Sequence, residues 1–582
     1  MALTDQKGAS APVGRCAFRL WELASRYRVA VVLVALMLTG LALRLWGIDR
    51  TDVVYGDEIP NVRIAMGFAA TRSIVPVGGS IHPAGYPDVL LLTYGLYAVV
   101  GLVTGAFASL EDMAFTYLVD PHAFYVIARA ISAVGGAAAI ALTFRLGRRL
   151  ADDRTGLVAA GIMTVAYLPV WFSHFALMES MVMLLATGAF LASLHALTSP
   201  TRRAFVLAGA LGGFAMSTKY NGGFFILPMV AAHVLASRRA GMTWRQTLLG
   251  ANLWLGLGVA VAAFLLLSPF WIVQFPERVA SALSYFQIRS SGAWTGQTSS
   301  DIAALSLLQS FLEQEWAIGV VLLAGVVGAL FRRKSEDILA LAAILPLFLF
   351  VGALRSSALH YILPAYPLLV ALGAVLLVRI LPRPAWLAGS VAALLIIPTA
   401  GHVIADRIQG SAPDARVAAA RWIEGNVPRG EKVALAFFWA GSCNPPILAN
   451  GPEIWTLAKS DVDSGFMARL PASFPKRLDA YFAARPVYRV AFLEEFASPE
   501  EMRAAGVRYA AVSSCAYAPY VDQPPPPAGA SWAEQYLKTH ALYSTLLAPT
   551  PGVRTLAAFT PEQGYGGPEV RVLELSPGAG GR

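Results

Sequence analysis

Residues 28–47 read RVAVVLVALMLTGLALRLWG, an apolar run long enough to cross a lipid bilayer as a single helix. Four basic residues precede it, and no small-residue cleavage site follows it; the basic residues are Lys7, Arg15, Arg19 and Arg26. A secretory signal would be shorter and would be cut. The run therefore predicts an uncleaved signal anchor whose N-terminus lies in the cytoplasm.

The composition extends this interpretation to most of the 582 residues. Hydrophobic residues make up 56% of the sequence and charged residues 14%, whereas soluble domains carry roughly 25% charged residues. The mean hydropathy is +0.57. The formal net charge is +9, and the basic residues lie in short clusters between apolar runs. Such clusters mark the cytoplasmic side of a membrane protein and argue against a nucleic-acid-binding surface.

Eleven segments are predicted to span the membrane, at about 20 apolar residues for a typical span. They are Arg28–Gly47, Phe124–Leu146, Gly156–Phe172, Ser180–Leu197, Ala204–Met216, Gly222–Ala236, Leu248–Val273, Trp316–Phe331, Ile338–Leu354, Tyr361–Arg379 and Ala385–Val403. One more segment, Gly85–Phe107, is ambiguous. If it crossed, every later basic cluster would face the outside, against the charge bias that sets topology. We therefore expect it to lie along the outer interface, which places the C-terminus outside.

The basic clusters on which this topology depends are Arg145/Arg148/Arg149, Arg202/Arg203, Arg238/Arg239, Arg332/Arg333/Lys334 and Arg379/Arg383. The chain then divides into a cytoplasmic N-terminus (1–27), a transmembrane module (28–403) with a candidate catalytic outer loop (48–123), and an extracytoplasmic domain (404–582). In the last part, apolar runs shrink to strand length. The predicted strands Val433–Phe438, Val487–Phe492 and Val507–Val512 alternate with helices Asp414–Glu424 and Ser498–Ala505. The predicted fold class is a polytopic α-helical membrane protein with a C-terminal α/β domain.

Two adjacent carboxylates stand in the first outer loop, within YGDE at 55–58, and His82 follows in IHP at 81–83. Asp57 and Glu58 at a membrane surface suit a general base with a metal or substrate partner. The same residues also suit the acidic start of a helix, because a proline follows at the position of its first turn. Both interpretations remain open at this point.

Other polar side chains fall at the predicted outer ends of spans, where ionisable groups are functional candidates because they are costly in a membrane. Cations there suit a lipid-linked phosphate, which a guanidinium binds by paired hydrogen bonds. Each one alone also suits an interfacial residue that extends toward water. The candidate substrate-binding residues are His82, Arg129, His174, Glu179, Lys219, Tyr220, Arg355, His360 and Tyr361.

Five segments together resemble the GT-C fold glycosyltransferases, specifically the protein mannosyltransferase and aminoarabinose transferase-like group that uses polyprenyl-phosphate sugars. YGDE at 55–58 resembles the acidic motif of the family's first outer loop, and IHPAGY at 81–86 resembles its turn and lying helix. ARAIS at 128–132, running to LGRRL at 146–150, is similar to its second span. HYILPAYP at 360–367 is similar to a late-span signature, and residues 414–428 resemble the opening of its C-terminal domain.

The resemblance implies a catalytic role for Asp57, with Glu58 as its partner. It implies a polyprenyl-phosphate sugar as donor, a hydroxyl of a lipid, glycan or protein as acceptor, and a bacterial inner (plasma) membrane as location. A divalent cation is left open as a cofactor, with Asp57 and Glu179 as candidate ligands. The family usually has Asp where this chain has Glu179, and its turn reads His-Pro-Pro where Ala84 stands here.

Two other classes compete with an inverting glycosyltransferase in which Asp57 is the base. A multi-span transporter or lipid flippase would be favoured by paired discontinuous helices or inverted repeats, and the sequence indicates neither. A catalytically silent assembly partner on the same fold is disfavoured by the retention of Asp57 and Glu58. The sequence does not identify the sugar or the acceptor.

Cys443 and Cys515 follow two of the predicted strands at similar offsets. If those strands are parallel neighbours, both cysteines leave the sheet at one edge and can pair in an oxidising compartment, whereas Cys16 in the cytoplasm stays reduced. The alternative is two buried free thiols that pack as small hydrophobic groups.

Overall fold

The computed structural model describes residues 11–50, 54–76, 82–291, 303–354, 358–381, 385–436, 472–484, 488–522 and 533–576. Its first part is almost entirely helical. The helices are α1 (Ala11–Leu45), α2 (Glu58–Thr71), α3 (Gly85–Thr104), α4 (Leu110–Val119), α5 (His122–Leu150), α6 (Asp153–Val165), α7 (Tyr167–Phe172), α8 (Glu179–Thr198), α9 (Arg202–Thr218), α10 (Leu227–Arg239), α11 (Trp244–Leu248), α12 (Ala251–Leu267), α13 (Phe270–Val273), α14 (Phe275–Ser291), α15 (Ala303–Arg332), α16 (Ser335–Gly352), α17 (Tyr366–Ile380) and α18 (Ala385–Gln409). Turns of 3-10 helix lie at Tyr220–Ile226 and Leu359–Ala365.

Ten helices in the described part of the chain are long and apolar enough to cross a membrane, so the predicted polytopic helical module is confirmed. All eleven segments predicted to span are helical, but two of them fall short of this length. Helix α9 has only 17 residues, and the segment Gly156–Phe172 is divided between α6 and α7. Helix α3, which we expect not to cross, meets the length and composition criteria instead.

Two of the helical segments are interrupted, at places that the sequence analysis does not predict. The chain is extended at Ala166 (φ −55°, ψ 128°) between α6 and α7. The physical cause is Pro169, which lacks an amide hydrogen and whose ring would clash with the carbonyl group of Val165 in a continuous helix. Trp316 (φ 52°, ψ −133°) kinks α15, and such a positive φ is an outlier for a bulky side chain.

Helices α9 and α12 pack backbone to backbone through small residues. A methyl group on Gly209 would collide with the carbonyl oxygen of Gly256, and one on Gly213 would collide with that of Ala260. Small residues spaced four apart allow this close approach between helices in membranes. Lys219 is the residue directly after α9, so this packing fixes the position of its backbone.

Helix α3 leaves the bundle at the end where α5 begins. The hydroxyl of Tyr86 donates to the carbonyl of Ala128, and the hydroxyl of Tyr94, two turns later, donates to the carbonyl of Phe124. Residues later in α3 therefore contact residues earlier in α5. These contacts agree with a helix on the outer surface, while the side of the membrane stays a prediction.

The C-terminal part is an α/β domain, as predicted. Its elements are α19 (Ala415–Asn426), β1 (Lys432–Leu435), α20 (Ser473–Ala483), β2 (Arg489–Phe492), α21 (Pro499–Ala504), β3 (Tyr509–Ser513), α22 (Ser514–Val521), α23 (Ala533–Leu547), β4 (Val553–Phe559) and β5 (Val570–Leu575). The sheet order is β2-β1-β3-β5-β4, with β1 parallel to β2 and β3, and β5 antiparallel to β3 and β4. The strands β4 and β5 were not predicted, because β4 is partly exposed and alternates poorly.

The C-terminal domain contacts the first outer loop at two places. Arg50 donates to the backbone carbonyls of Gly410 and Ala412, at 3.1 and 3.2 Å. Arg477 of α20 pairs with Asp112 of α4 at 2.8 Å. These contacts tie the loop that carries Asp57 to the domain that follows the last predicted span.

Cys515 lies in the first turn of α22, directly after β3, and it is disulfide-bonded. Cys443 lies outside the described residues, so its pairing with Cys515 stays a prediction. The strands β1 and β3 are adjacent and parallel, which is the arrangement on which that prediction depends.

Candidate active site

A buried ion pair between Glu58 and Arg129 organises the first outer loop. Arg129 donates from Nε to Oε1 at 2.7 Å and from Nη2 to Oε2 at 2.8 Å. The backbone amides of Tyr55 and Ala176 donate to the same carboxylate at 2.8 and 2.7 Å. With four donors around it, Glu58 is held as an anion that fastens the loop to α5 and to the segment before α8.

The remaining guanidinium nitrogen of Arg129, Nη1, binds the backbone that follows α1. It donates to the carbonyl oxygens of Ile48 at 3.1 Å and Arg50 at 2.8 Å. These hydrogen bonds give Arg129 a structural role, and the substrate-binding role predicted for it stays a prediction.

Asp57 stands immediately before α2, and its side chain is exposed while that of Glu58 is buried. Its carboxylate makes no capping hydrogen bond to α2. The backbone of Asp57 is held instead, because Asn61 donates to its carbonyl at 3.1 Å and to that of Ala176 at 3.0 Å. Asp57 and Glu58 thus form the acidic start of α2, as the second interpretation has it, while the carboxylate of Asp57 is exposed and makes no hydrogen bond to the helix.

The surrounding protein raises the pKa of Asp57, because it displaces water around the carboxylate even though part of the side-chain surface stays open. Glu179 raises this pKa further by like-charge repulsion, whereas Lys219 and Arg289 lower it. These three charges therefore lie within electrostatic range of Asp57.

Glu179 begins α8 and is buried together with Lys219. The Nζ atom of Lys219 lies 2.6 Å from Oε1 of Glu179, and Nε2 of His360 lies 3.9 Å from the same oxygen. Lys219 also lies 5.0 Å from the ring centroid of Tyr361. The second oxygen of Glu179, Oε2, is buried and has no hydrogen-bond partner in the described part of the chain. It is an acceptor that a ligand hydroxyl or a trapped water would satisfy.

Tyr285 and Arg289 of α14, which are not among the predicted site residues, lie beside Tyr361. The hydroxyls of Tyr285 and Tyr361 are 2.9 Å apart. The guanidinium carbon of Arg289 lies 5.0 Å from the ring centroid of Tyr285 and 6.0 Å from that of Tyr361. A signal was present in the sequence, because Arg289 lies in a predicted outer loop where the charge bias disfavours arginine, as it disfavours Lys219.

His82 lies next to this cluster, with its ring centroid 6.4 Å from that of Tyr285. Burial lowers the pKa of His82 to about 3, and the positive charges of Lys219 and Arg289 contribute in the same direction. The imidazole is therefore neutral at neutral pH. It can donate or accept a hydrogen bond, but it adds no positive charge to the site.

Two of the predicted binding residues, His174 and Tyr220, have other surroundings. The Nδ1 atom of His174 lies 3.1 Å from the carbonyl oxygen of Arg44, and burial holds its pKa well below the ordinary value. Tyr220 packs edge-on against Trp271, with centroids 5.9 Å apart. Arg355 lies outside the described residues.

The predicted divalent cation finds only a partial set of ligands. Among the described residues, no group of three or more His, Cys, Asp or Glu side chains is arranged to hold a metal ion. Of the two candidate ligands, Glu179 already has Lys219 at 2.6 Å. A cation shared with a substrate phosphate needs only one or two protein carboxylates. The cation stays a prediction, and no chemical step below is assigned to it.

The fold is that of a multi-pass helical membrane protein in which buried acidic and basic side chains meet among the helices. Residues 113–273 match the family of dolichyl-phosphate-mannose-protein mannosyltransferases. This match confirms the resemblance to GT-C fold glycosyltransferases for α5 to α12, while Asp57 lies before the matched segment. Among curated proteins, no sequence relative matches the chain.

Several solved structures are similar in overall fold. ArnT from Cupriavidus metallidurans bound to undecaprenyl phosphate is 15% identical, with 95% of this chain and 99% of that chain covered and a TM-score of 0.47. An Archaeoglobus fulgidus oligosaccharyltransferase tethered to an acceptor peptide is 14% identical, with 88% and 72% covered and a TM-score of 0.48. The Saccharomyces cerevisiae Pmt1-Pmt2 complex is 20% identical, with 44% and 34% covered and a TM-score of 0.33. At TM-scores this low the likeness assigns no activity.

Proposed function

We propose that this protein is a membrane glycosyltransferase that moves a sugar from a polyprenyl-phosphate donor to an acceptor hydroxyl at the outer face of a bacterial inner membrane. The observation that carries the proposal is the position of Asp57. Its carboxylate makes no capping hydrogen bond to α2, its backbone carbonyl accepts a hydrogen bond from Asn61, and the charges of Lys219 and Arg289 act on it electrostatically. The match to lipid-phosphate mannosyltransferases over residues 113–273 supports the class of donor.

The proposed reaction is a single displacement at the anomeric carbon. Asp57 takes the proton of the acceptor hydroxyl while the acceptor oxygen forms a bond to that carbon. The bond between the anomeric carbon and the phosphate oxygen breaks, and its electron pair leaves with the polyprenyl phosphate. Because one nucleophile attacks from the side opposite the leaving group, the anomeric configuration inverts.

The leaving group requires positive charge, since negative charge grows on its phosphate oxygen. Lys219 is paired with Glu179, so its charge is shared. Arg289 lies beside Tyr285 and Tyr361 and acts on Asp57 through space. We therefore assign the main phosphate contact to Arg289, with Lys219 second, and we place His82 and His360 as neutral groups around the sugar.

A transporter is the competing function, and the helix break at Ala166 is the observation that favours it. In transporters, half-helix ends point at the substrate and bind it. Here the ends are already occupied by the protein: Arg44 binds the last carbonyls of α6, and Glu315 binds the first amides of α7. An occupied break of this kind supports an enzyme scaffold over a transport site.

The test is a product assay on the full chain reconstituted in liposomes. The donors are undecaprenyl-phosphate sugars of several kinds, and the acceptor is an extract of bacterial envelope. We expect release of undecaprenyl phosphate that depends on both donor and acceptor, together with an inverted product. GDP-mannose serves as the control donor, and we expect that the protein does not transfer mannose from it. Movement of donor lipid between leaflets without any release would support the transporter instead.

A further inference from the structure

A buried carboxylate holds the start of the short helix α7. Glu315 of α15 is 0% exposed, and its oxygens accept hydrogen bonds from the amides of Tyr167 at 3.2 Å and Leu168 at 2.8 Å. The first amides of a helix have no partner within the helix, and they carry its partial positive charge. Glu315 thus supplies the hydrogen bonds that the first amides of α7 lack within the helix.

A buried cation holds the other side of the same break. Arg44 of α1 is 0% exposed, and it donates to the carbonyl oxygens of Met163 at 3.3 Å and Thr164 at 3.4 Å, at the end of α6. Gly136 leaves room for it, because a methyl group there would lie 2.7 Å from Nε of Arg44. These carbonyls carry the partial negative charge of α6, so the cation is matched to them.

Neither side chain forms an ion pair within the described part of the chain. Fully buried charges without a charged partner are costly, and in a membrane protein they mark a functional element. Arg44 binds the end of α6 and Glu315 binds the start of α7, so each side chain is stabilised by one of the two helix ends that meet at Ala166.

Helix α7 spans the distance between the two sides of the candidate active site. Trp171 packs against Tyr55, two residues before Asp57, with centroids 5.4 Å apart. The next residue, Phe172, packs against His360 at 5.2 Å, and His360 is the neighbour of Glu179. The last turn of α7 therefore touches the Asp57 side and the Glu179 side at once.

The segment after α7 carries the remaining contacts of the loop. His174 meets the carbonyl of Arg44, and the amide and carbonyl of Ala176 bind Glu58 and Asn61. A shift of α7 would therefore move the backbone that fixes the loop of Asp57.

We propose that Arg44 and Glu315 are positioning residues that together fix α7 as the spacer between Asp57 and Glu179. Neither touches the substrate. They act by capping the two facing helix ends, and α7 then sets the separation of the two carboxylates. The activity part of this inference rests on the proposed transferase function, whereas the structural part does not.

The experiment uses the full chain with Glu315→Gln, Arg44→Met and the double variant, and Glu313→Gln as the matched control, because Glu313 is exposed on the same helix. Hydrogen exchange is measured for the peptide covering residues 167–178. We expect exchange to rise roughly tenfold in Glu315→Gln, which is the size expected when a charged hydrogen-bond partner is lost. The control should exchange as the wild type does.

Turnover is measured per folded molecule, with folded protein quantified by size-exclusion chromatography. We expect kcat to fall by roughly tenfold or more in each single variant while KM changes less than about twofold, because a small misplacement of reacting groups has that effect. The double variant should retain more activity than the two losses multiplied together, because it leaves no unmatched charge.

Unchanged kcat per folded molecule in the single variants, or losses that multiply without coupling, would overturn the proposal. If Glu315→Gln does not fold, Arg44→Met still tests the positioning role, through its kcat per folded molecule and its exchange at residues 167–178. If the wild type transfers no sugar, the proposed function fails, and unchanged exchange at residues 167–178 would then reject the capping device by itself.

Discussion

The ammonium group of Lys219 lies 2.6 Å from Oε1 of Glu179, and this buried pair acts on Asp57 with opposite signs. Glu179 raises the pKa of Asp57, and Lys219 lowers it. The base that we propose therefore has its proton affinity set by two residues more than 100 positions further along the chain. This coupling can be tested separately from turnover.

Replacing Glu179 by Gln removes the negative charge that raises the pKa of Asp57, so this pKa should fall. Since the base must be ionised to act, the acidic limb of the kcat/KM profile should move to lower pH. Lys219→Met removes the cation and should move the same limb to higher pH. We expect opposite shifts of up to about one pH unit each, measured as initial rates of donor release across pH.

The matched control for these shifts is His82→Asn. The pKa of His82 is held at about 3, so its titration is complete below the working range and the limb should stay in place, whatever the effect on donor affinity. A limb that stays fixed in both charge variants, or that moves in the His82 variant, would contradict the assignment of Asp57 as the titrating base.

The Glu58–Arg129 pair is expected to dominate the stability of the first outer loop. Arg129→Met leaves the Glu58 carboxylate buried and unpaired, which should lower the free energy of unfolding by about 3–5 kcal/mol. The exposed pair of Arg148 and Asp153, with side chains 57% and 43% exposed, is the control, and its removal should cost about 0–1 kcal/mol. Unfolding by SDS titration in mixed micelles measures both; equal losses would disprove the assignment.

Cys443 is expected to be the partner of Cys515. In Cys443→Ser, the thiol of Cys515 should become available to an alkylating reagent under non-reducing conditions, whereas Cys16→Ser should leave it blocked. Mass spectrometry of the peptide that contains Cys515 reports the outcome. Alkylation of Cys515 in the Cys16 variant alone would reject the predicted pairing and the oxidising compartment on which it rests.

The topology prediction concerns α3, which is long enough to cross and is nevertheless expected to lie at the outer surface. A reporter fused after Asp152 should score cytoplasmic, because an α3 that does not cross leaves α5 running inward. Alkaline phosphatase and green fluorescent protein fusions give opposite readouts at this position. An extracytoplasmic score would overturn the topology, because it would move the basic clusters and the proposed partners of Asp57 to the opposite side of the membrane.

Much of the fold follows from hydrophobic patterns. Every predicted span is helical, and the three predicted strands lie within a few residues of β1, β2 and β3. The break at Ala166 was not predicted, although Pro169 marks it in the sequence. The kink at Trp316 has no such marker, since it depends on Glu315 binding another helix.

The site was predicted less completely than the fold. The sequence shows two adjacent carboxylates in one loop. It does not show that Glu58 binds Arg129, 71 residues away, or that Asp57 stays exposed. Arg289 was not selected, although the charge bias disfavours an arginine in a predicted outer loop. Which long-range partners meet is decided by packing, and a single sequence does not contain that information.

The central claim is that Asp57 is the base of a sugar transfer, and Asp57→Asn in the reconstituted full chain tests it most directly. Asp120→Asn is the control, because Asp120 is an exposed carboxylate of the same loop. We predict a loss of about 10²- to 10⁴-fold in kcat for Asp57→Asn, the contribution of a general base, with binding of undecaprenyl phosphate nearly unchanged and the Asp120 variant near wild type. Near wild-type turnover in Asp57→Asn would contradict the account.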